Sequence, residues 1–206
     1  WEGQALRNDE FVVSADEKTS IQARIRCHPT SPPAPGRAKR VEFEQERGGA
    51  LAYLAAWDVH RAKLFGRCEP TTGIEPFARL VDQVMSAEPY RDARRVFWVL
   101  DNGSSHRGAA CVERLTSAYP TLVPVHLPIH ASWLNQVEIY FGILERKVLT
   151  PADATSLDEL AGRILAFERE YEKRARPFEW RFTRADLNRL LGRLDLCTAG
   201  PLAPAA

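Results

Sequence analysis

No apolar run in this sequence is long enough to cross a membrane. The longest lie near Val96 to Leu100 and Ala50 to Trp57, far short of the about 20 residues a spanning helix needs. No signal or transit pattern opens the chain. Cysteine is scarce and scattered: Cys27, Cys68, Cys111 and Cys197 form no CxxC pair and no zinc spacing. They read as reduced thiols of a cytosolic protein rather than a disulfide framework or a metal site. An excess of one charge is missing too, since 28 Lys and Arg oppose 27 Asp and Glu for a net of +1. Composition by itself therefore announces no nucleic-acid binder. There is no GxSxG elbow, and Ser104, Ser105 and His106 beside Asp101 are too close along one turn to aim at one another as a triad.

What remains is an ordinary globular composition, 45% hydrophobic and 27% charged over 206 residues. That length gives one domain with a small appendage and a core large enough to need no staple. Charge is uneven along the chain. From Glu17 to Arg67 ten Lys or Arg stand against five Asp or Glu; such a run is a solvated face or, more sharply, a phosphate-contacting surface.

The hydrophobic pattern predicts an α/β protein. Phe11 to Asp16 reads as a buried strand, and Ile21 to Cys27 alternates as a half-buried one. His28 to Arg40 holds four prolines and a glycine and reads as a loop. Ala50 to Val59 completes an expected three-stranded antiparallel meander. Ile74, Phe77, Leu80, Val81 and Val84 then mark one face of a helix. Arg95 to Leu100 is a continuous apolar strand, and Asn102 to Ser105 a tight turn. A helix from His106 to Ala118, a short strand from Leu122 to Val125 and a helix from Ser132 to Leu149 follow. Ser156-Leu157-Asp158-Glu159 is a capping box opening another helix. Leu187, Leu190, Leu191 and Leu194 mark the last. The mixed sheet with flanking helices places residues 1–150 in a core and 151–206 in a C-terminal helical extension of the same domain.

Two of these strands end in aspartates, Asp16 and Asp101, and ligands gather at that edge of an open α/β sheet. Glu138 lies at the edge of the stripe Leu134, Val137, Phe141, Leu144 and Val148. Glu145 lies nearer that stripe, so helical position alone does not single out Glu138. Converging carboxylates without cysteine are hard oxygen ligands suited to Mg²⁺ or Mn²⁺. A cation would relieve their repulsion and serve phosphoryl chemistry, two ions flanking the reacting phosphate. Asp58, at the end of the third strand, reads as structural or substrate-proximal, and Trp133 as a core-packing ring.

Local sequence adds a resemblance. Ser14-Ala15-Asp16-Glu17-Lys18, Leu100-Asp101-Asn102-Gly103-Ser104-Ser105-His106 and Ala131-Ser132-Trp133-Leu134-Asn135-Gln136-Val137-Glu138 resemble the three acid blocks of bacterial insertion-sequence transposases of the mariner type. The 36 residues between Asp101 and Glu138 fall in that family's usual range. Pro177-Phe178-Glu179-Trp180 with Thr183 resembles a segment near the family's C-terminus. The resemblance implies a ribonuclease H-like mixed five-stranded sheet and a DDE site in which Asp16, Asp101 and Glu138 hold two Mg²⁺ or Mn²⁺ ions. It implies hydrolysis of double-stranded DNA at transposon ends and attack of the freed 3′-hydroxyl on target DNA, by a homodimer in the bacterial cytosol and nucleoid, away from membranes. Asn102, His106 and Asn135 would orient water or phosphate. Arg24, Arg26, Lys39, Arg40, Arg146 and Lys147 are candidate phosphate contacts.

The match is not complete. The family usually carries an N-terminal helix-turn-helix region, and only fifteen residues precede Asp16, so a chain lacking that region is expected. Glu42, Glu44 and Glu46 would oppose DNA if exposed. Two other readings stand beside the transposase: a catalytically silent interaction or regulatory protein, and a cellular ribonuclease H-like nuclease that cuts RNA–DNA hybrids.

Overall fold

The computed structural model describes residues 3–28, 31–40, 44–103, 109–128, 131–150, 154–183, 185–189 and 192–193. Five strands form one sheet: β1 (Glu10–Arg26), β2 (Gln45–Asp58), β3 (Leu64–Glu69), β4 (Arg95–Leu100) and β5 (Leu122–His126). Their order is β3-β2-β1-β4-β5. β1, β2 and β3 pair antiparallel, and β4 and β5 add to β1 in parallel. The sheet is flanked by helices α1 (Ile74–Met85), α2 (Ala109–Ala118), α3 (Val137–Leu144) and α4 (Leu157–Glu172). This is the mixed five-stranded α/β sheet expected of a ribonuclease H-like core. Among the described residues no helix is long and apolar enough to cross a membrane.

The two strands expected at Phe11 to Asp16 and Ile21 to Cys27 are one strand, β1. Its pattern changes because its partners change. Glu10 to Ser14 pairs with β4, and β2 joins on the other edge from Val13; this part is buried on both faces, only Val12 being partly exposed, and reads as a continuous apolar run. Beyond Ser14 only β2 pairs with the strand, and past Lys18, where β3 has also ended, the two run on as a ribbon that alternates inside and out. A register shift between Lys18 and Ile21, with Ser20 at φ 55°, bends the ribbon where the pattern changes. The meander's third strand is β3, which the periodicity missed: Leu-Phe-Gly-Arg-Cys-Glu interrupts its apolar run with glycine and charge, as a short edge strand can.

Each face of the sheet buries a separate core, because side chains alternate along each strand. Phe11, Val13, Leu54, Trp98 and Leu100 pack with Phe77, Leu80, Val84 of α1 and Leu115 of α2. Tyr53, Ala55 and Trp57 pack on the other face with Tyr140, Phe141, Leu144 of α3 and Leu160, Ile164 of α4. Ser156 caps α4 by accepting from the Glu159 N–H at 3.1 Å, and the Glu159 carboxylate accepts from the Thr155 N–H at 2.8 Å. The capping box is therefore formed, with the reciprocal bond one residue earlier than usual. Of the last expected helix, 185–189 is helical; Leu190, Leu191 and Leu194 lie outside the described residues.

Glycine is required at position 66 of β3. A Cβ built there would meet the Tyr53 hydroxyl oxygen at 2.2 Å and a Glu168 carboxylate oxygen at 2.3 Å. Those groups are tied together, since the Tyr53 hydroxyl donates to Glu168 at 2.7 Å and the Gly66 N–H donates to the same carboxylate at 3.1 Å. Gly66→Ala must push this buried triad apart and is expected to cost about 3 kcal/mol, the upper range for overpacking. Denaturant unfolding of the variant measures it; a loss under about 0.5 kcal/mol, the scale of a neutral surface change, would show that the triad yields freely.

Candidate active site

Strand register brings the first two acids together. Ser14 of β1 is opposite Val99 of β4. Continuing that register by two residues sets Asp16 beside Asp101 on the same face, just where β4 ends. Asp16 is buried within β1, not at a strand end as the sequence suggested, because β1 runs on past β4. Asp101 is half-buried, and one of its oxygens accepts from the Gly103 N–H at 2.7 Å. Asn102 ties the end of β4 to the residue after β5, its amide donating to the Leu127 carbonyl at 2.7 Å.

The third acid arrives through a local break in a helix. The segment expected as one helix from Ser132 to Leu149 is a 3-10 turn at Ser132–Leu134, then α3, then a π-turn at Glu145–Leu149. Asn135 sits between the first two with extended backbone (φ −74°, ψ 109°). It is fully buried, and its side chain explains the break. The amide donates to the Ala15 carbonyl at 2.8 Å and to Asp16 Oδ2 at 3.1 Å, and its oxygen accepts from the Ser14 hydroxyl. Ser14 Oγ in turn accepts from the Val137 N–H at 2.9 Å. A hydroxyl from β1 thus satisfies one of the free N–H groups at the start of α3. This clasp docks the start of α3 onto β1 beside Asp16, and Glu138 stands in its first turn, where the helix dipole favours a carboxylate.

The three acids act on one another electrostatically. Burial pushes the Asp16 carboxyl up to about 7; the Glu17 N–H, donating at 2.8 Å, opposes this, and the charges of Asp101 and Glu138 add to it. Burial also raises Glu138, with Lys18 lowering it and Asp101 raising it further. Lys18 is bonded to Glu145 at 2.9 Å. Asp16 is thus a buried carboxyl with two acidic neighbours and two hydrogen-bond donors, and among the described residues no cation pairs with it. Among the described residues no three Asp, Glu, His or Cys side chains lie close enough to share one ion. The donor set nonetheless fits a hard divalent cation: all are carboxylate oxygens, one Asp101 oxygen is not taken by Gly103, and Glu138, though partly desolvated at its carboxyl, is on an exposed, long side chain.

A cleft of about 450 Å³ is lined by Lys18, Gln22, Arg24, Gln45, Glu145 and Thr150. Of the candidate phosphate contacts, Arg24 is exposed on this cleft and close enough to Glu145 to lower its carboxyl. Arg26 lies at the end of β1 opposite Gln45. Arg146 and Lys147 are exposed on the π-turn, and Lys39 and Arg40 on the 31–40 loop. Glu44 and Glu46 are exposed at the start of β2. His106 and Glu42 lie outside the described residues.

One reading is corrected. Trp133 is not a core ring: it is 44% exposed, on the 3-10 turn Ser132–Leu134, which buries none of its residues. Asp58 has the structural role that one of its two readings gave it: it is buried and accepts from the N–H groups of His60 and Arg61 and from the Tyr90 hydroxyl at 2.7 Å. Ser14 and Lys18 were not singled out beforehand, although one holds α3 in place and the other faces Glu138.

The chain matches in part a simian T-cell lymphotropic virus intasome in complex with PP2A regulatory subunit B56 gamma (8% identity, 98% of this chain and 60% of that one, TM-score 0.48). It also matches a pre-cleavage Mos1 transpososome (15% identity, 79% and 54%, TM-score 0.44) and a Mos1 mariner paired end complex with Mn (16% identity, 79% and 54%, TM-score 0.39). It thus spans between 54% and 60% of the length of these chains. A search of curated proteins gives no match. The family model described as DDE superfamily endonuclease matches residues 12–161, a segment that holds Asp16, Asp101 and Glu138, and the chain belongs to that family.

Proposed function

We propose that this chain is the catalytic domain of a DDE transposase of the mariner-like type. It would cleave DNA phosphodiesters at transposon ends and join the freed 3′-hydroxyl to target DNA. The observation that carries the reading is the Asp16 carboxyl: buried in β1, held by Asn135 and the Glu17 N–H, and facing Asp101 and Glu138, in a chain of the DDE endonuclease family. A protein does not bury an unpaired acid against two more without something to offset the charge.

Asp16, Asp101 and Glu138 would hold Mg²⁺ or Mn²⁺, two ions in all. When bound, the metal would activate the attacking oxygen and stabilise the leaving one. The chain's own residues set the stage. Asn135 and the Glu17 N–H fix the two Asp16 oxygens, the Gly103 N–H fixes one of Asp101, and Lys18 offsets charge at Glu138. Water or a 3′-hydroxyl is the nucleophile, so no side chain need attack. Burial pushes the half-buried Cys68 thiol up to about 12, which makes it a poor nucleophile in any case.

The discriminating experiment offers the protein labelled DNA duplex and the matching RNA–DNA hybrid, each with Mn²⁺ or with chelator. Metal-dependent cutting of the duplex is expected. Cutting of the hybrid alone would assign a ribonuclease, and cutting of neither would assign a silent scaffold.

A further inference from the structure

Two motifs singled out in the sequence, the Trp133 block and the Pro177–Thr183 segment, meet in space. The Phe182 ring stands edge-on against Trp133, with centroids 4.8 Å apart and planes at 90°. Trp180 is 6.4 Å from Phe182. Phe178 anchors the same segment by packing on the buried Trp57 at 4.8 Å. A strap fixed in the core at one end therefore holds aromatic rings against Trp133 at the other. Trp133 is 44% exposed and Trp180 38%. These rings are not apolar residues scattered singly: they are held together in one exposed cluster.

Its position is fixed by the site. Trp133 is two residues from Asn135, so their Cα atoms are at most about 7 Å apart, and the Asn135 amide is bonded to Asp16. Ile139, also exposed, neighbours Glu138 in the sequence. One to three nucleotides of a strand whose phosphate lies at the acids would reach the patch, at about 3.4 Å per stacked step. The exposed area is small. Two Trp rings at these exposures offer about 200 Å², against about 800 Å² per partner for a stable protein interface. A face of that size fits a planar base and not a second copy of the chain.

We infer that Trp133, Phe182 and Trp180 form a stacking platform for an unpaired nucleobase flanking the phosphate at the acids. This rests on the DNA-cleaving reading. Aromatic faces bind bases of any sequence, so the platform would prefer an unpaired end without reading its sequence.

The test measures binding, without metal, of a blunt duplex and of the same duplex with a short single-stranded 3′ tail. The parent is expected to prefer the tailed duplex. Trp133→Ala should lose about five- to a hundredfold on the tailed duplex, the range for one stacked base, and nothing on the blunt one. Trp133→Phe should keep most of the preference, and Trp180→Ala should lose part of it. No preference in the parent, or equal losses on both duplexes, would overturn the platform. So would a mass in sedimentation that falls in Trp133→Ala, which would assign the patch to a second copy. The two readings fail separately. A parent that cuts blunt duplex but ignores the tail rejects the platform alone, whereas a Trp133-dependent tail preference without any metal-dependent cutting rejects the cleavage alone.

Discussion

Asp101→Asn is expected to reduce metal-dependent cleavage of duplex DNA by about a thousandfold or more while leaving the fold in place. The loss follows from removing one of three anionic oxygen donors. Metal-borne charge stabilisation in phosphoryl chemistry is worth several kcal/mol, and each 1.36 kcal/mol is a factor of about ten in rate. The fold should survive because the substitution is nearly isosteric at a half-buried position. The Asn carbonyl oxygen can still accept from the Gly103 N–H, now bonded at 2.7 Å. Removing the charge also lightens the repulsion on Asp16, which Asp101 raises. Initial cleavage rates in Mn²⁺, with an unfolding curve for each protein, test both halves. A variant that cuts like the parent would remove Asp101 from the site; a variant that does not fold would show that its charge is structural.

The edges of the fold that depend on local chemistry were legible in the sequence. β4 spans Arg95–Leu100 as its continuous apolar run indicates, since a central parallel strand is covered on both faces. α1 begins at Ile74 and α4 follows the Ser156 cap for the same kind of reason. What depends on a distant partner was not. β1 looks like two strands because its neighbour β4 stops partway along it. The helix expected from Ser132 to Leu149 is broken because Asn135 bonds to residues some 120 positions earlier. Nothing within the segment itself announces that bond.

The same division holds at the acids. Asp16 and Asp101 drew notice as strand-end aspartates, and the register of β1 and β4 does set them side by side. Glu138 was separable from Glu145 only by its local motif; in space the two differ plainly. Glu145 is bonded to Lys18, which lowers its carboxyl, whereas burial and Asp101 raise Glu138. Ser14 was invisible beforehand because a serine inside an apolar strand carries no sign of which helix start it will satisfy. Trp133 differs for the opposite reason: a large ring reads as core in the sequence, yet here it stands exposed on a 3-10 turn that buries none of its residues.

Asp16 also predicts how pH and metal act together. Its carboxyl is raised from 3.8 to about 7, so the metal-free folded chain holds a proton that the unfolded chain has already released. The stability tied to that proton is fully present below about pH 4 and is lost as pH rises towards 7, by up to about 4 kcal/mol for three units of pKa. Because Asp101 and Glu138 share the same space, the proton belongs to the group of acids. A divalent cation competes with it. Mn²⁺ affinity should therefore rise about tenfold per pH unit below 7 and level off above, with proton release on binding. Calorimetric titration of Mn²⁺ in buffers of different ionisation enthalpy measures both, and thermal unfolding with and without Mn²⁺ should show a stabilisation that grows from about pH 5 to about pH 8. Asp16→Ala should flatten the metal-free pH dependence and abolish the Mn²⁺ shift together. A Mn²⁺ shift independent of pH, or one that persists in Asp16→Ala, would place the metal on other residues and leave the buried acid of β1 without its counterion.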